Sequence, residues 1–272
     1  SVGGSRAEIV FAPGEGISVP DDEYSHALYH ESGCALQDVW PQESGVLALI
    51  ERSDGQRVGL SIDADGGVQE VEAPEPRKRN RQAVSGGTLS WNEEPGGASV
   101  TLEDGQGHEI WRVRTMIHIA ADRLEWLCAQ ELPDGSFALG GRYLTGDGAV
   151  QEQAATMAVI GPEGVLREIV PIQSGEEDMP VGCVRDMVYA PQRGLLLLTA
   201  RGGQTKNGVC DIQTADGSFD VYVHVGFEAE DARLTLDDSG YAYVCGTDRD
   251  NGQNITAVVR VDLDAGEAPV KR

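Results

Sequence analysis

His26, His30 and Cys34 stand at i, i+4 and i+8 within "DDEYSHALYHESGC", residues 21–34, behind the acidic run Asp21, Asp22 and Glu23. Imidazole nitrogen and thiolate sulfur bind zinc and related metals, so His26 and His30 are candidate metal ligands. On a helix this spacing lines the three residues along one stripe; on a strand it sets them on one face. Carboxylates form a second set. Asp38, Glu131 and Asp186 fall within short apolar segments. With His26 or His30 they would supply acid–base groups for a hydrolase or lyase if the fold brought them together.

Other chemistry is thinly represented. The chain has no G-x-S-x-G, H-E-x-x-H, P-loop or G-x-G-x-x-G opening a helix. "DADGG" (Asp63, Asp65) and "TDRDNGQN" (Asp248, Asp250, Asn251) resemble the start of a calcium loop, but each lacks the downstream Glu and reads as a hairpin turn. His108, His118 and His224 fall in expected strands, where a structural role suits them. The one basic cluster, "PRKRNR" (Arg77, Lys78, Arg79, Arg81), reads as a surface connector open to an acidic partner or to processing. Aromatic residues make up 6%, few for a protein that stacks on sugars.

Charge narrows the partners. Twenty-one Lys and Arg against 45 Asp and Glu give a formal charge of −24 and a pI of about 4.4. Such a chain repels phosphate backbones, so no nucleic-acid partner is expected. The longest apolar stretch, "GLLLLTA" at 194–200, is far short of the roughly 20 residues that span a bilayer. The five cysteines (34, 128, 183, 210, 245) contain no C-x-x-C pair, and an odd number leaves both buried thiols and partial pairing open. The chain opens on Ser1-Val2-Gly3 without Met, which points to a processing or cloning boundary. A secreted, periplasmic or lipid-tethered monomer is expected.

These residues need a framework, and the sequence repeats itself. Apolar segments follow Gly45, Gly87, Gly135, Gly194 and Gly240, at successive intervals of 42, 48, 59 and 46 residues. Each is a short apolar strand-sized run and lacks helical periodicity. Asp-Gly and Gly-Gly pairs supply hairpin turns. "CALQDVWPQESG" and "CVRDMVYAPQRG" share a length, an opening Cys and a closing Gly, which makes Cys34 and Cys183 small core residues at the start of a strand. "LPDGSFALGGRYLTGDGAVQEQAATMAVIGPEGVL" (132–166) and "LDDSGYAYVCGTDRDNGQNITAVVRVDLDAG" (236–266) resemble the repeats of bacterial β-propeller proteins. The resemblance implies an all-β, single-domain propeller over residues 1–272, with about five four-stranded blades, or six. Repeats lie near 34–74, 85–120, 124–172, 183–225 and 232–266. The free strand "AEIVFAP" is expected to close the ring, with residues 8–12 completing the last blade and removing exposed edges.

On that framework the connectors entering each innermost strand share one face around the channel. They carry Asp21, Asp22 and Glu23; Asp122 and Glu125; Glu176, Glu177 and Asp178; and Glu228, Glu230 and Asp231. Together these form an expected acidic rim that suits Ca²⁺, a small cationic ligand or a basic protein. The reading is a non-catalytic binding propeller. The alternatives are a propeller enzyme using Asp38, Glu131, Asp186, His26 and His30 in the channel, or a structural repeat within a larger assembly.

Overall fold

A computed structural model describes residues 6–8, 25–116, 123–145, 152–172, 181–201, 209–216, 220–224, 232–250 and 253–263. The described residues form strands and turns, with no α-helix. Two strands come first, β1 (Arg6–Glu8) and β2 (Ser25–Ser32). Sheet I contains β3 (Cys34–Pro41), β4 (Val46–Arg52), β5 (Arg57–Ile62) and β6 (Val68–Val71). Sheet II contains β7 (Arg81–Val84), β8 (Gly87–Glu94), β9 (Gly97–Glu103) and β10 (Glu109–Met116). Sheet III contains β11 (Arg123–Glu131), β12 (Phe137–Thr145), β13 (Glu152–Ile160) and β14 (Leu166–Pro171). All three are antiparallel meanders.

Sheet IV holds the hairpins β15 (Val181–Ala190)–β16 (Gly194–Arg201) and β17 (Val209–Thr214)–β18 (Asp220–His224), with β1 parallel to β18. Sheet V runs in the order β19 (Arg233–Leu236), β20 (Ala242–Asp250), β21 (Gln253–Val261), β2. Among the described residues the strand that completes the last sheet is therefore residues 25–32, where the sequence suggested 8–12, of which 9–12 lie outside the described residues. Glu8, the only described residue of that segment, pairs with His224 in sheet IV.

All five repeat-marking glycines, Gly45, Gly87, Gly135, Gly194 and Gly240, have positive φ. At two of them a side chain has no room: a Cβ would lie 2.1 Å from the Ile62 carbonyl oxygen at Gly45 and 2.0 Å from that of Glu103 at Gly87. Only glycine takes these turns while letting the neighbouring strand approach.

The chain divides into two compact units, one of Ser1–Pro76, Gln204–Gln213 and Phe219–Arg272, the other of Arg77–Gly203 and Thr214–Ser218. In the first, Cys34, Leu36, Val46, Ile50, Leu60 and Ile62 of sheet I pack on Tyr243, Cys245 and Val258 of sheet V. In the second, Leu89, Trp91, Val100 and Leu102 of sheet II pack on Trp126, Phe137, Leu139 and Ile160 of sheet III. Each fully buried Val, Leu or Ile contributes roughly 1.5–3 kcal/mol of transfer free energy. Polar atoms inside this second core are matched. The Trp126 indole N–H donates to Thr115 Oγ1 at 2.9 Å, Thr115 donates to the Ala98 carbonyl at 3.0 Å, and Trp91 donates to the Trp126 carbonyl at 2.7 Å.

Candidate functional site

The first strands of the repeats, β3 and β15, carry bulges at matching places, and the bulges explain two of the candidate carboxylates. Pairing slips between Leu36 and Asp38 in β3 and between Val184 and Asp186 in β15. Immediately after each slip the aspartate Oδ1 accepts the next residue's N–H, from Val39 at 2.9 Å and from Met187 at 2.9 Å. A bulge disrupts the ladder locally, and a short acidic side chain satisfies the backbone there. Asp38 is buried. Glu131, at the turn end of β11, accepts hydrogen bonds from the Ser85 N–H and hydroxyl of sheet II. Asp186 pairs opposite Leu198, four residues before its own strand's turn end at Ala190, whereas Glu131 pairs with Phe137 at the turn itself. These two carboxylates stand at different levels of their strands.

Glu125 is a strand residue of β11, not a connector residue. Its buried carboxylate takes Arg142 Nε at 2.6 Å from the cross-strand position and an Arg123 amine at 2.7 Å. Arg123 also reaches Glu93 of sheet II at 3.1 Å. The strand begins two residues earlier than Glu125, so the acidic group that looked like part of a loop is held inside the sheet by two guanidinium groups.

The stretch that raised a metal site is split by register. Pairing slips between Ala27 and Tyr29, so His26 lies opposite Arg260 while His30 lies opposite Ala257. Four residues of β2 therefore span three of β21, and the even spacing that would set both histidines on one face is lost. Burial holds the His30 imidazole below the usual histidine range. Cys34 is buried, free and hydrogen-bonded to the Glu31 carbonyl at 3.1 Å, and burial is the main cause that pushes its thiol up. Beside them, Tyr29 donates to Glu31, whose other oxygen meets Arg52 Nε at 3.3 Å, and Arg52 reaches Glu70. Burial first, then Glu31, raises the Tyr29 phenol. Among the described residues no group of three or more His, Cys, Asp or Glu is arranged to hold a metal ion.

The expected rim changes in membership. Asp122, Glu176, Glu177, Asp178, Glu228, Glu230 and Asp231 lie outside the described residues, as do Asp21, Asp22 and Glu23. The strands they precede are described. β11, β15 and β19, which follow Asp122, Asp178 and Asp231, are each the first strand of their repeat. β2, which follows Asp21–Glu23, starts opposite Val261 and hence at the β19–β20 turn end of sheet V. β19 starts at the other end. The direct link into β3 is Gly33, at φ +82, whose N–H donates to the Asn254 carbonyl at 2.7 Å. Asp21, Asp22 and Glu23 thus precede the edge strand of sheet V opposite β19, whereas the other groups precede the first strand of a repeat.

The remaining motifs are turns and connectors. Asp63 Oδ1 accepts the N–H groups of Asp65 and Gly67, at 3.0 and 2.7 Å, which closes the "DADGG" turn. Asp248 and Asp250 end β20, opposite Ile255 and Gln253 of the antiparallel β21, so "TDRDNGQN" spans a hairpin as its turn chemistry suggested. His108 precedes β10 in an exposed turn and meets Asp104 at 3.2 Å, so it is not a strand residue. His224 does lie in a strand, β18. Arg77, Lys78 and Arg79 lie on an exposed connector without regular structure.

One buried polar site escaped sequence reading. Asp237, in the β19–β20 turn, accepts the Tyr243 hydroxyl at 2.7 Å and the Gly45 N–H at 3.1 Å through Oδ2, and the Tyr241 N–H at 3.0 Å through Oδ1. It ties sheet V to the first turn of sheet I. Arg260 stacks over the Tyr241 ring at 4.7 Å and donates to the Ala64 carbonyl. The cue was present in "DDSGYAY", where a turn aspartate precedes two tyrosines.

No protein-family model matches the chain, and no curated protein matches it. Among solved structures, a protein of unknown function from Bacteroides caccae is 15% identical, over 80% of this chain and 66% of its own length, with a TM-score of 0.40. A protein of unknown function from Dyadobacter fermentans DSM 18053 is 11% identical, over 90% of this chain and 83% of its own, with a TM-score of 0.48. No helix among the described residues is long and apolar enough to cross a membrane.

Proposed function

We propose that the chain is a five-bladed β-propeller whose role is non-catalytic binding of a cationic ligand, with Ca²⁺ or a basic protein segment as occupant. The observation that carries this reading is where the carboxylates are committed. Asp38 and Asp186 serve bulged backbone, and Glu125 is neutralised by two arginines. The segments preceding β11, β15 and β19 hold Asp122, Glu176, Glu177, Asp178, Glu228, Glu230 and Asp231, with no Lys or Arg within 117–122, 173–180 or 225–231. Carboxylates concentrated in short segments of the sequence, without counter-charge within them, suit a hard divalent cation or a basic partner.

Thermal unfolding with calcium, with chelator and with an oligolysine peptide tests the proposal. Saturating calcium or peptide is expected to raise the midpoint by several degrees, the response to about 1–3 kcal/mol of linkage. An unchanged midpoint with both, at millimolar concentration, would remove the reading.

A further inference from the structure

Arginine in this acidic chain is a paired residue. Every described arginine side chain but one has an ion pair, a hydrogen bond or a ring contact. The exception is Arg185 in β15. Its Nε is buried without a hydrogen-bond partner, and no carboxylate among the described residues pairs with it. The residue is half-buried, and its two guanidinium amines are not sealed off with the Nε. Asp186, next in the chain, commits Oδ1 to the Met187 N–H.

The fold fixes this charge where it stands. Arg185 is the extra residue of the β15 bulge, unpaired between Val184, opposite Thr199, and Asp186, opposite Leu198. Bulges re-aim a side chain and are frequent next to functional sites. Val184 and Met187, on either side of the bulge, share one buried core with Cys128 of β11. Packing there is tight. A Cβ on Gly140 would lie 2.4 Å from Met187 Cε, 2.6 Å from Val184 Cγ1 and 2.9 Å from Cys128 Sγ. Close packing of this kind keeps the backbone from shifting to find the guanidinium a partner.

An arginine cannot shed its charge by losing a proton. Removing that charge from water without a counter-ion is unfavourable. The local sequence offers no remedy. Residues 179–210 hold Arg185, Arg193, Arg201 and Lys206 against Asp186 alone, whereas the whole chain holds 45 acidic residues against 21 basic ones. This stretch of positive charge attracts a small anion from solution.

We infer that Arg185 holds the carboxylate of a small ligand, placed end-on against its guanidinium amines. The paired oxygens of a carboxylate match the planar fork of the two amines. Guanidinium charge is delocalised over three nitrogens, so an anion at the amines also compensates the buried Nε. A net charge of −24 repels polyanions, which selects a small carboxylate over a nucleic acid. The site lies on β15 itself and uses none of the acidic segments assigned to cation binding.

Acetate is the probe, with the isotope-labelled full chain and no calcium. The Arg185 Nε–H resonance, assigned by its loss in R185M, is followed while acetate replaces chloride at constant ionic strength. A saturable shift is expected, with a rise in the unfolding midpoint. Acetate affinity read from that midpoint should fall at least about tenfold in R185M. In chloride alone R185M should unfold no earlier than wild type, because the substitution removes an unpaired charge. A shift that does not saturate, an equal shift in a chloride series, an undiminished midpoint response in R185M, or earlier unfolding of R185M in chloride would each overturn the inference. Because the probe is an anion, such a failure leaves the cation-binding proposal standing.

Discussion

Asp237 and Glu125 are both buried carboxylates, one in each compact unit, and they are held by different chemistry. Asp237 collects three neutral donors, a phenol and two backbone N–H groups, and so joins the turn of sheet V to that of sheet I. Glu125 is gripped by two guanidinium groups, one of which is half exposed and continues to Glu93. Neutral donors lose their solvation when buried and have no alternative partner. Guanidinium groups near solvent retain water and can turn to another acid. Removing Asp237 should therefore cost more than removing Glu125, although only Glu125 is part of a charge pair.

The largest effect is expected for Asp237→Ala. Three donors lose their acceptor at about 1 kcal/mol or more each, so equilibrium unfolding should show a loss of about 3–4 kcal/mol. Glu125→Gln should cost about 2 kcal/mol, because Arg142 keeps a polar neighbour and Arg123 keeps Glu93. A larger loss for Glu125→Gln than for Asp237→Ala would break the comparison.

Tyr243→Phe sharpens it from the donor side, with an expected cost of about 1 kcal/mol near neutral pH. Burial, and then the Asp237 hydrogen bond, hold the Tyr243 phenol above its usual 10.0. The folded chain keeps a proton that the unfolded chain releases. This contribution is complete below pH 10 and is lost as the pH rises toward the raised value. The gap between wild type and Tyr243→Phe should narrow in alkaline denaturation series and nowhere else.

The smallest effect is expected at the exposed turn of sheet III. Ser136 first, through hydroxyl and N–H, and then Arg167 hold the Asp134 carboxyl at about 2, below its usual 3.8. That stabilisation is present above pH 3.8 and is lost as the pH falls through about 2. Side-chain NMR titration should find Ser136→Ala raising this value more than Arg167→Ala does. Equal shifts would contradict the order of causes.

The repeat was legible because its punctuation is physical. Each marker glycine sits at positive φ, and the apolar segment after it became the second strand of its repeat. The edges of elements were harder to read. "SHALYHES" has no turn cue ahead of it and mixes His, Ser and Glu with its apolar residues, so its eight-residue edge strand was not anticipated. Glu125 was misplaced for a related reason, since "ADRLEW" gives no cap or turn to mark where β11 starts. Asp237 was not legible as a site because its decisive partner, the Gly45 N–H, lies 192 residues away. The two histidines depended on a one-residue slip at Ala27–Tyr29, which no spacing rule reports.

The central claim is that carboxylates in the strands serve the framework, whereas those preceding β11, β15 and β19 serve binding. Calorimetric titration of calcium and of oligolysine into wild type, E176Q/E177Q/D178N and D237N tests both halves at once. The account predicts that the triple variant binds at least about tenfold more weakly at an unchanged unfolding midpoint, while D237N unfolds earlier and binds as wild type does. Undiminished binding by the triple variant, or binding lost in D237N while it remains folded, would contradict it.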